Sequence, residues 1–309
     1  MSMLDLLRRR KAAGAPDERP PMEALKGTIG QIGQLPMLPE AAHKAMAIVN
    51  DPRSSLAQFA LVIEKDLALA TGVLKLANSP LYRVGRAIDT VNQAVLRLGM
   101  RECQNLIIAV GMRSMFSKIP RAQKERCEGL WAHSFMTACL CRHLNKRLKF
   151  GYTGEEFACG LAHDFGRLLI VIAAPALSLS ADPMDFTETP ELLDHETAVL
   201  GTDHCYLGAW FANLNRLPPT ILSAIQHHHT PLDATEHQNL VGMVATADDM
   251  ANYIQREGKI EGYDPTGNLG WYYLTEELGH CGNFEFAEEA PTIMEDALKE
   301  AEGAKSSAA

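Results

Sequence analysis

A histidine and an aspartate stand side by side, as His163-Asp164, within an almost uninterrupted apolar stretch, EFACGLAHDFGRLLIVIAA, at residues 156–174. A segment that is apolar on all sides is expected to form a buried helix. A buried carboxylate beside a buried imidazole is costly unless each group finds a charge partner, a hydrogen bond or a metal ion. The pair alone is also explained by a satisfied core histidine and an aspartate on the helix surface, so the positions of the other histidines decide between this explanation and a functional site.

Histidine and aspartate side chains recur on the apolar faces of the predicted helices in the second half of the chain. His133 shares a stripe with Thr137 and Leu144, for example, whereas Asp249 falls on the polar side of its helix. The residues that point inward are His133, His163, Asp164, His204, His228, His229 and Asp248. Left without partners, these groups would cost several kcal/mol of folding free energy in total.

A divalent metal ion would satisfy the inward-facing groups. Imidazole and carboxylate are ligands of zinc, iron and manganese, and such a site needs no cysteine. The sequence therefore predicts a centre that holds iron, manganese or zinc. A buried network of His–Asp hydrogen bonds without metal is the alternative that the pattern leaves open.

Size and composition describe an ordinary globular chain. Its 309 residues suffice for one large or two medium domains, and the formal net charge of -9 argues against general nucleic-acid binding. The seven cysteines form no CxxC motif and are typical of core residues in a reducing compartment. No apolar run approaches the roughly 18 residues of a membrane span, and no apolar stretch follows the basic residues 8–11. We expect a cytoplasmic location.

The pattern of the chain predicts an all-α fold, because helices follow one another with short breaks and no stretch alternates with a period of two. The expected organisation is a flexible segment at 1–21, a helical subdomain at 22–117, a second one at 118–284 that begins with a hinge at 118–124, and an acidic helix with a frayed end at 285–309. Leu35 and the residues around it should be extended because of two prolines.

Helix boundaries follow from capping residues, prolines and glycines. In the first half the predicted helices are 41–50, 56–64 with Ser55 as its N-cap, 68–77, 90–98 and 102–116, the last two separated by Gly99. In the second half they are 130–149, 153–174, 191–214, 220–229, 237–257 and 285–301. Thr153 is the expected cap of its helix, with Glu156 at the capping-box position.

The whole stretch from about Ile32 to Ile254 resembles the HDOD family, all-helical relatives of the HD and HD-GYP phosphohydrolases. The segments that carry the likeness include LPMLPEAA, AIDTVNQAVLRLGM, FACGLAHDFGRLLI and VATADDMA. The order of His133, then His163-Asp164, then a distant Asp248 is similar to the metal pattern of the HD superfamily. The resemblance implies an N-terminal helical subdomain packed on an HD-like helical subdomain, and it implies no particular oligomeric state.

Three features depart from the catalytic relatives. The GYP tripeptide is absent, since Thr230-Pro231-Leu232-Asp233 stands in its place, and the lysine that follows HD-x-G is replaced by Arg167. A glutamate that some relatives carry one turn before the first histidine is Gly129. Arginine keeps the positive charge and can clamp a phosphate, but with a different geometry.

The resemblance implies two functions of different class. One is a non-catalytic module of bacterial signalling that binds proteins such as sensor kinases or cyclic-di-GMP enzymes and keeps its ligand set as a metal or polar core. The other is a metal-dependent phosphohydrolase acting on a nucleotide or cyclic dinucleotide. In the second case Asp164 would belong to the centre that activates water, and Arg167 would steady the charge on phosphate.

Overall fold

The computed structural model describes residues 38–49, 51, 53–78, 85–116, 119, 121–189, 191–280 and 285–306. Within these ranges every regular element is helical, and no β-strand occurs, which confirms the predicted all-α class. The prediction for residues 1–21 and the start of the extended segment at Leu35 lie outside the described residues, whereas the end of that segment, Leu38-Pro39, is non-helical and leads into a helix at Glu40. Across the described ranges, none of the helices combines the length and the apolar character that crossing a membrane requires.

The described part of the first half contains four helices: α1 (Glu40–Val49), α2 (Leu56–Glu64), α3 (Leu67–Ala77) and α4 (Val91–Met115). Ser55 caps α2 as predicted, because its hydroxyl accepts from the backbone N–H of Gln58 at 3.2 Å while the Gln58 side chain accepts from the Ser55 N–H at 2.9 Å. The predicted break at Gly99 is confirmed, because α4 consists of two helical segments joined at a kink where Gly99 is non-helical, with a φ of 83°.

The second half contains the remaining helices. They are α5 (Lys124–Leu148), α6 (Glu155–Ala162), α7 (Phe165–Ala173), α8 (Ser178–Ala181), α9 (Leu192–Leu200), α10 (His204–Leu214), α11 (Pro219–His227), α12 (Gln238–Glu257), α13 (Leu269–Tyr272) with a π turn at Tyr273–Glu277, and α14 (Phe286–Ser306). Helix α5 is central, since α6, α12 and α14 all pack against it. Helix α4 contacts α6 and so joins the two halves.

The start of α5 differs from the prediction. Arg121–Gln123 form a 3-10 turn that leads directly into α5 at Lys124, well before the expected start at Leu130. Residues 121–124 of the predicted hinge therefore belong to helical elements. The helix start was not predicted because the first turns of α5 are exposed on one side and carry charged residues, which interrupt the apolar periodicity.

The helix predicted at 153–174 is wrong as a single element, since it breaks at His163-Asp164 between α6 and α7. Thr153 is not the cap either: the N-cap is Gly154, with a φ of 112°, and no side chain caps it. Glu156 nevertheless accepts the Gly154 N–H at 2.8 Å. The φ of Gly154 favours glycine at this position, and a Cβ there would also force the flexible end of the Glu102 side chain to move.

The helix predicted at 191–214 is also divided. Gly201, with a φ of 74°, ends α9 in the left-handed conformation, and Asp203 caps α10 by accepting the Tyr206 N–H at 2.7 Å. His204 is therefore the first residue of a new helix rather than part of a continuous one. The break turns its ring toward the interior of the second half.

Candidate metal centre

The seven predicted ligands come from five places in the second half. His133 lies in the middle of α5, His163-Asp164 form the break between α6 and α7, His204 begins α10, His228 and His229 follow α11, and Asp248 lies in α12. All but His229 are at most 4% exposed. The neighbour Asp249 is exposed, as predicted, and accepts a hydrogen bond from the Tyr263 hydroxyl at 2.6 Å.

His133, His163 and Asp248 form the first donor group. Their atoms converge closely: His133 Nε2 lies 3.3 Å from His163 Nε2 and 3.0 Å from Asp248 Oδ1, and the remaining side of the triangle is 3.3 Å. His163 Nδ1 donates to the carbonyl oxygen of Gly160 at 2.7 Å. This bond fixes the neutral tautomer, so the lone pair of His163 Nε2 faces the group.

His204 and His228 form the second donor group, with their Nε2 atoms 3.4 Å apart. His204 Nδ1 donates to Glu196 Oε2 at 2.7 Å, and His228 Nδ1 donates to the Ile225 carbonyl at 3.0 Å. In the neutral rings both Nε2 lone pairs therefore point toward each other. A cation between them relieves this repulsion, and the Glu196–His204 pair is the carboxylate–histidine arrangement that orients metal ligands.

Asp164 lies between the two groups. Its Oδ2 is 3.6 Å from His163 Nε2 and 3.7 Å from His133 Nε2, while its Oδ1 is 3.5 Å from the Nε2 atoms of both His204 and His228. These contacts are too long for good hydrogen bonds. Both carboxylate oxygens are buried, and neither accepts a hydrogen bond from any described residue.

Such spacings fit donors arranged around metal ions. Ligand atoms about 2.0–2.2 Å from one ion are separated from each other by about 3.0–3.5 Å. Asp164 can therefore bridge two divalent ions, one in each donor group. The residues present fit the predicted metal, and the buried oxygens of Asp164, which accept no hydrogen bond, are the feature that a hydrogen-bond network alone leaves unexplained.

The two aspartates are held in the ionised form that metal ligands require. Burial alone would raise the pKa of Asp164, but Arg167 and His163 hold it well below the ordinary value of an aspartate. Burial opposes ionisation of Asp248 in the same way, and His163 and His133 lower its pKa well below the ordinary value. Burial and the neighbouring His228 lower the pKa of His229.

Arg167 is buried and surrounded by carboxylates. Its Nε lies 3.2 Å from Asp164 Oδ1 and 3.5 Å from Asp182 Oδ2, and its terminal nitrogen contacts Glu188. Burial and Asp248 raise the pKa of Glu188 to about 8. The guanidinium predicted to clamp phosphate is thus already paired with side chains of this chain.

Residues 182–189 cover the centre. The Phe186 ring stacks on His133 with a centroid distance of 5.2 Å, and Glu188 Oε2 lies 3.5 Å from His229 Nδ1. A separate small cavity of about 10 Å³ lies on the other side of Asp164, between apolar residues of α4, α5 and α7, and it contacts none of the other donors. His229 lies at the rim, with its ring centroid 4.3 Å from that of His228 and its side chain 14% exposed.

Sequence reasoning missed the groups that support the ligands: Asp182, Glu188, Glu196 and Cys205. The sequence does indicate Glu196, because it lies four residues before the apolar Leu200 and so shares its helix face. Both side chains are buried in the structure. Cys205 Sγ lies 3.5 Å from His204 Nε2 and 3.9 Å from His228 Nδ1. Burial would raise the pKa of this thiol, but His204 and His228 bring it below the ordinary value.

A helical fold with buried histidines gathered around a His-Asp pair defines an HD-type protein. The family model of the HDOD domain matches residues 35–231. The chain belongs to the HDOD domain family, which confirms the resemblance found in the sequence.

Known proteins are similar over most of the chain. An uncharacterised protein of Treponema pallidum (strain Nichols) is 26% identical over 251 residues, which are 80% of this chain and 48% of that protein. The chain thus spans about half the length of this curated relative. The crystal structure of a candidate phosphohydrolase from Shewanella amazonensis SB2B has a TM-score of 0.66 and 25% identity, covering 91% of this chain and 97% of that one. An HDOD domain protein of unknown function from Geobacter sulfurreducens has a TM-score of 0.67, 23% identity and 97% coverage of both chains.

Proposed function

We propose that this protein is a non-catalytic regulatory module of bacterial signal transduction, whose HD-type centre holds divalent metal as part of the folded core. One observation carries the proposal: the donor atoms that converge on Asp164 are buried, and Arg167, the side chain that would clamp a phosphate, is paired with Glu188 from the segment that covers the centre. A nucleotide phosphate would have to displace Glu188 from Arg167 before it could approach the donors. The centre therefore suits a structural role better than turnover.

The metal would act by joining distant helices. His133, His163, Asp164, His204, His228 and Asp248 would hold iron, manganese or zinc, with His229 at the rim. When bound, the ions supply positive charge that offsets the buried carboxylates and the facing imidazole lone pairs. Arg167 keeps Asp164 oriented through the 3.2 Å contact between its Nε and Asp164 Oδ1.

Regulation would take place through contacts with other proteins in the cytoplasm, such as sensor kinases or enzymes of cyclic-di-GMP metabolism. The first half offers apolar surface for such a partner, since Leu61 is 56%, Leu67 83% and Leu96 65% exposed. We place the boundary between the two subdomains near residues 118–124, before α5. The contacts of α4 with α6 would carry a signal from one subdomain to the other.

A metal-dependent phosphohydrolase is the alternative function, and the bridging position of Asp164 favours it, because two ions that share a carboxylate are typical of hydrolases. In such an enzyme a bound ion would supply an activated water at neutral pH. Asp164 and Arg167 would be the candidate catalytic residues. Residues 182–189 would have to move, and Arg167 would have to leave Glu188 to reach a phosphate.

The test has two steps. Protein purified without added metal or chelator is analysed for its elements, and we expect close to stoichiometric iron, manganese or zinc, which Asp164→Asn should lose. A preparation that contains no metal and gains no thermal stability from any of the three ions would refute the metal centre.

Hydrolysis of cyclic-di-GMP and of a simple phosphodiester is then assayed with the metal-loaded protein. We expect no turnover of either compound. Turnover that disappears in Asp164→Asn, with the helical content preserved, would establish the phosphohydrolase instead. Activity on the simple ester alone would retain the hydrolase class and exclude only the cyclic dinucleotide.

A further inference from the structure

The second donor group contains a sulfur atom that neither the sequence pattern nor the proposed function uses. Cys205, the second residue of α10, is 3% exposed. Among the described cysteines it is the one that joins a group of potential metal ligands, together with His204, His228 and His229. One donor atom from each of these residues lies within 4.8 Å of the others.

Four distances in this group match the edges of a tetrahedron, and Cys205 Sγ also lies 3.9 Å from Nδ1 of His228, the ring nitrogen that donates to the backbone. His204 Nε2, His228 Nε2 and Asp164 Oδ1 are separated by 3.4, 3.5 and 3.5 Å. Tetrahedral nitrogen and oxygen ligands with bonds of about 2.0–2.1 Å have edges of about 3.4 Å. A thiolate at about 2.3 Å from the same ion would lie about 3.5 Å from a nitrogen ligand. Cys205 Sγ lies 3.5 Å from His204 Nε2.

A second observation points to a cation at this place. Asp164 Oδ1 is fully buried and faces the group, and its one cationic neighbour, Arg167 Nε at 3.2 Å, makes an ion pair with it but no hydrogen bond. Divalent ions in a closed core also need negative charge around them, and the bridging Asp164 shares its own between two positions. A thiolate from Cys205 would supply a further charge at the second position only.

We propose that Cys205 is a ligand of the second metal position, which thereby becomes a closed tetrahedral site of Asp164, His204, Cys205 and His228. This assignment rests on the metal centre of the proposed function and adds a chemical difference between its two positions. The first position has only nitrogen and oxygen donors. The second has a soft sulfur donor and selects zinc over manganese or magnesium.

A site with four protein ligands leaves no open place for water or substrate, which is the property of structural zinc sites. Binding of the ion displaces the thiol proton to solvent, so the ligand is the thiolate. In the protein without metal, Cys205 Sγ and His204 Nε2 share a weak hydrogen bond at 3.5 Å. These two states differ in a spectroscopic signature that requires no catalytic activity.

Cobalt(II) is the probe, since a thiolate ligand gives it an intense near-ultraviolet charge-transfer band. We expect this band in the cobalt-loaded wild-type protein and its loss in Cys205→Ser. Cys103→Ser removes an equally buried thiol from α4, outside the donor groups, and should keep the band. X-ray absorption of the zinc-loaded wild type should show a sulfur neighbour at about 2.3 Å, which needs no variant to fold.

The possible failures are distinguishable. Wild-type protein that binds cobalt and zinc with no charge-transfer band and no sulfur neighbour would overturn the role of Cys205 and leave the metal centre intact. A band that persists in Cys205→Ser would also overturn it, because another thiol would then be the ligand. Wild-type protein that binds neither ion would overturn the proposed metal centre and this assignment together.

Discussion

The two halves of the molecule bury different kinds of side chain. In the described part of the first half, the buried polar residues are Gln104 and Asn105, both on α4. The described part of the second half buries four histidines, six aspartates or glutamates, and one arginine: His133, His163, His204, His228, Glu156, Asp164, Asp182, Glu196, Asp203, Asp248 and Arg167. The first half can therefore be stabilised by apolar burial alone, whereas the second half depends on charge compensation.

Among the substitutions, Asp164→Ala should cause the largest loss in the free energy of unfolding. The substitution removes the bridging carboxylate and leaves Arg167 and the four facing imidazoles without it, so we expect a loss of about 3–5 kcal/mol in unfolding free energy. Urea unfolding of the metal-loaded protein measures the loss. The control Asp89→Ala removes an exposed carboxylate from the first half and should change stability by less than about 0.5 kcal/mol. Equal losses in the two variants would contradict the comparison.

Removing the metal should have the next largest effect, and it should be confined to one half. An ion present at about a hundred times its dissociation constant contributes about 2.7 kcal/mol. Hydrogen exchange after chelation should speed up in α5, α10 and α12, with α2 and α3 changing little. Uniform acceleration along the chain would show that the two halves unfold together and that the comparison holds only for their composition.

The pH dependence of the chelated protein should sharpen the comparison further. Because the pKa values of Asp164 and Asp248 are lowered by folding, their contribution to stability is present above about pH 4 and is lost as the pH falls further. Burial would lower the pKa of His204, but Cys205 and Glu196 raise it above the ordinary value. Its contribution is therefore complete below about pH 6.5 and is lost as the pH rises above that value.

Thermal unfolding of the chelated protein, measured from acidic to alkaline pH, tests both the acidic loss and the alkaline loss of stability. Metal-loaded protein should lack the alkaline loss, because a His204 that binds metal through Nε2 is already neutral. A chelated protein whose stability rises steadily from pH 6 to pH 9 would contradict the assigned role of His204.

Glu300→Gln should have the smallest effect. Glu300 attaches α14 to α5 through Arg142 at 3.2 Å and His143 at 2.7 Å, and all three side chains are partly exposed. Ion pairs of this kind contribute less than about 1 kcal/mol. A loss several times larger in urea unfolding would mean that the second half depends on α14 as well as on its buried centre.

Much of the fold followed from periodicity and capping. The bounds of α2 and the capping role of Ser55 were predicted from one serine before an apolar run. The breaks at His163 and at Gly201 were not, because apolar periodicity continues through a short turn and hides it. At Gly201 a local signal existed, a glycine followed two residues later by the capping Asp203.

The candidate centre was predictable where its residues lie on helices. His133 and Asp248 were placed correctly because each shares an apolar face with its neighbours. Glu188, by contrast, lies in an irregular segment, where no period indicates which way a side chain points. The pairing of Arg167 with that residue is a tertiary contact between positions that the sequence pattern does not connect.

The donor atoms that meet in the centre are far apart along the chain, and this separation has a consequence for how the protein acquires its native state. His133 and Asp248 are separated by 115 residues, so their contact closes a long loop and forms late during folding. His204-Cys205 and His228-His229 are adjacent pairs that can bind an ion in the unfolded chain. We expect excess zinc to retain the chain in misligated intermediates and to slow refolding, whereas metal added after refolding completes the native centre.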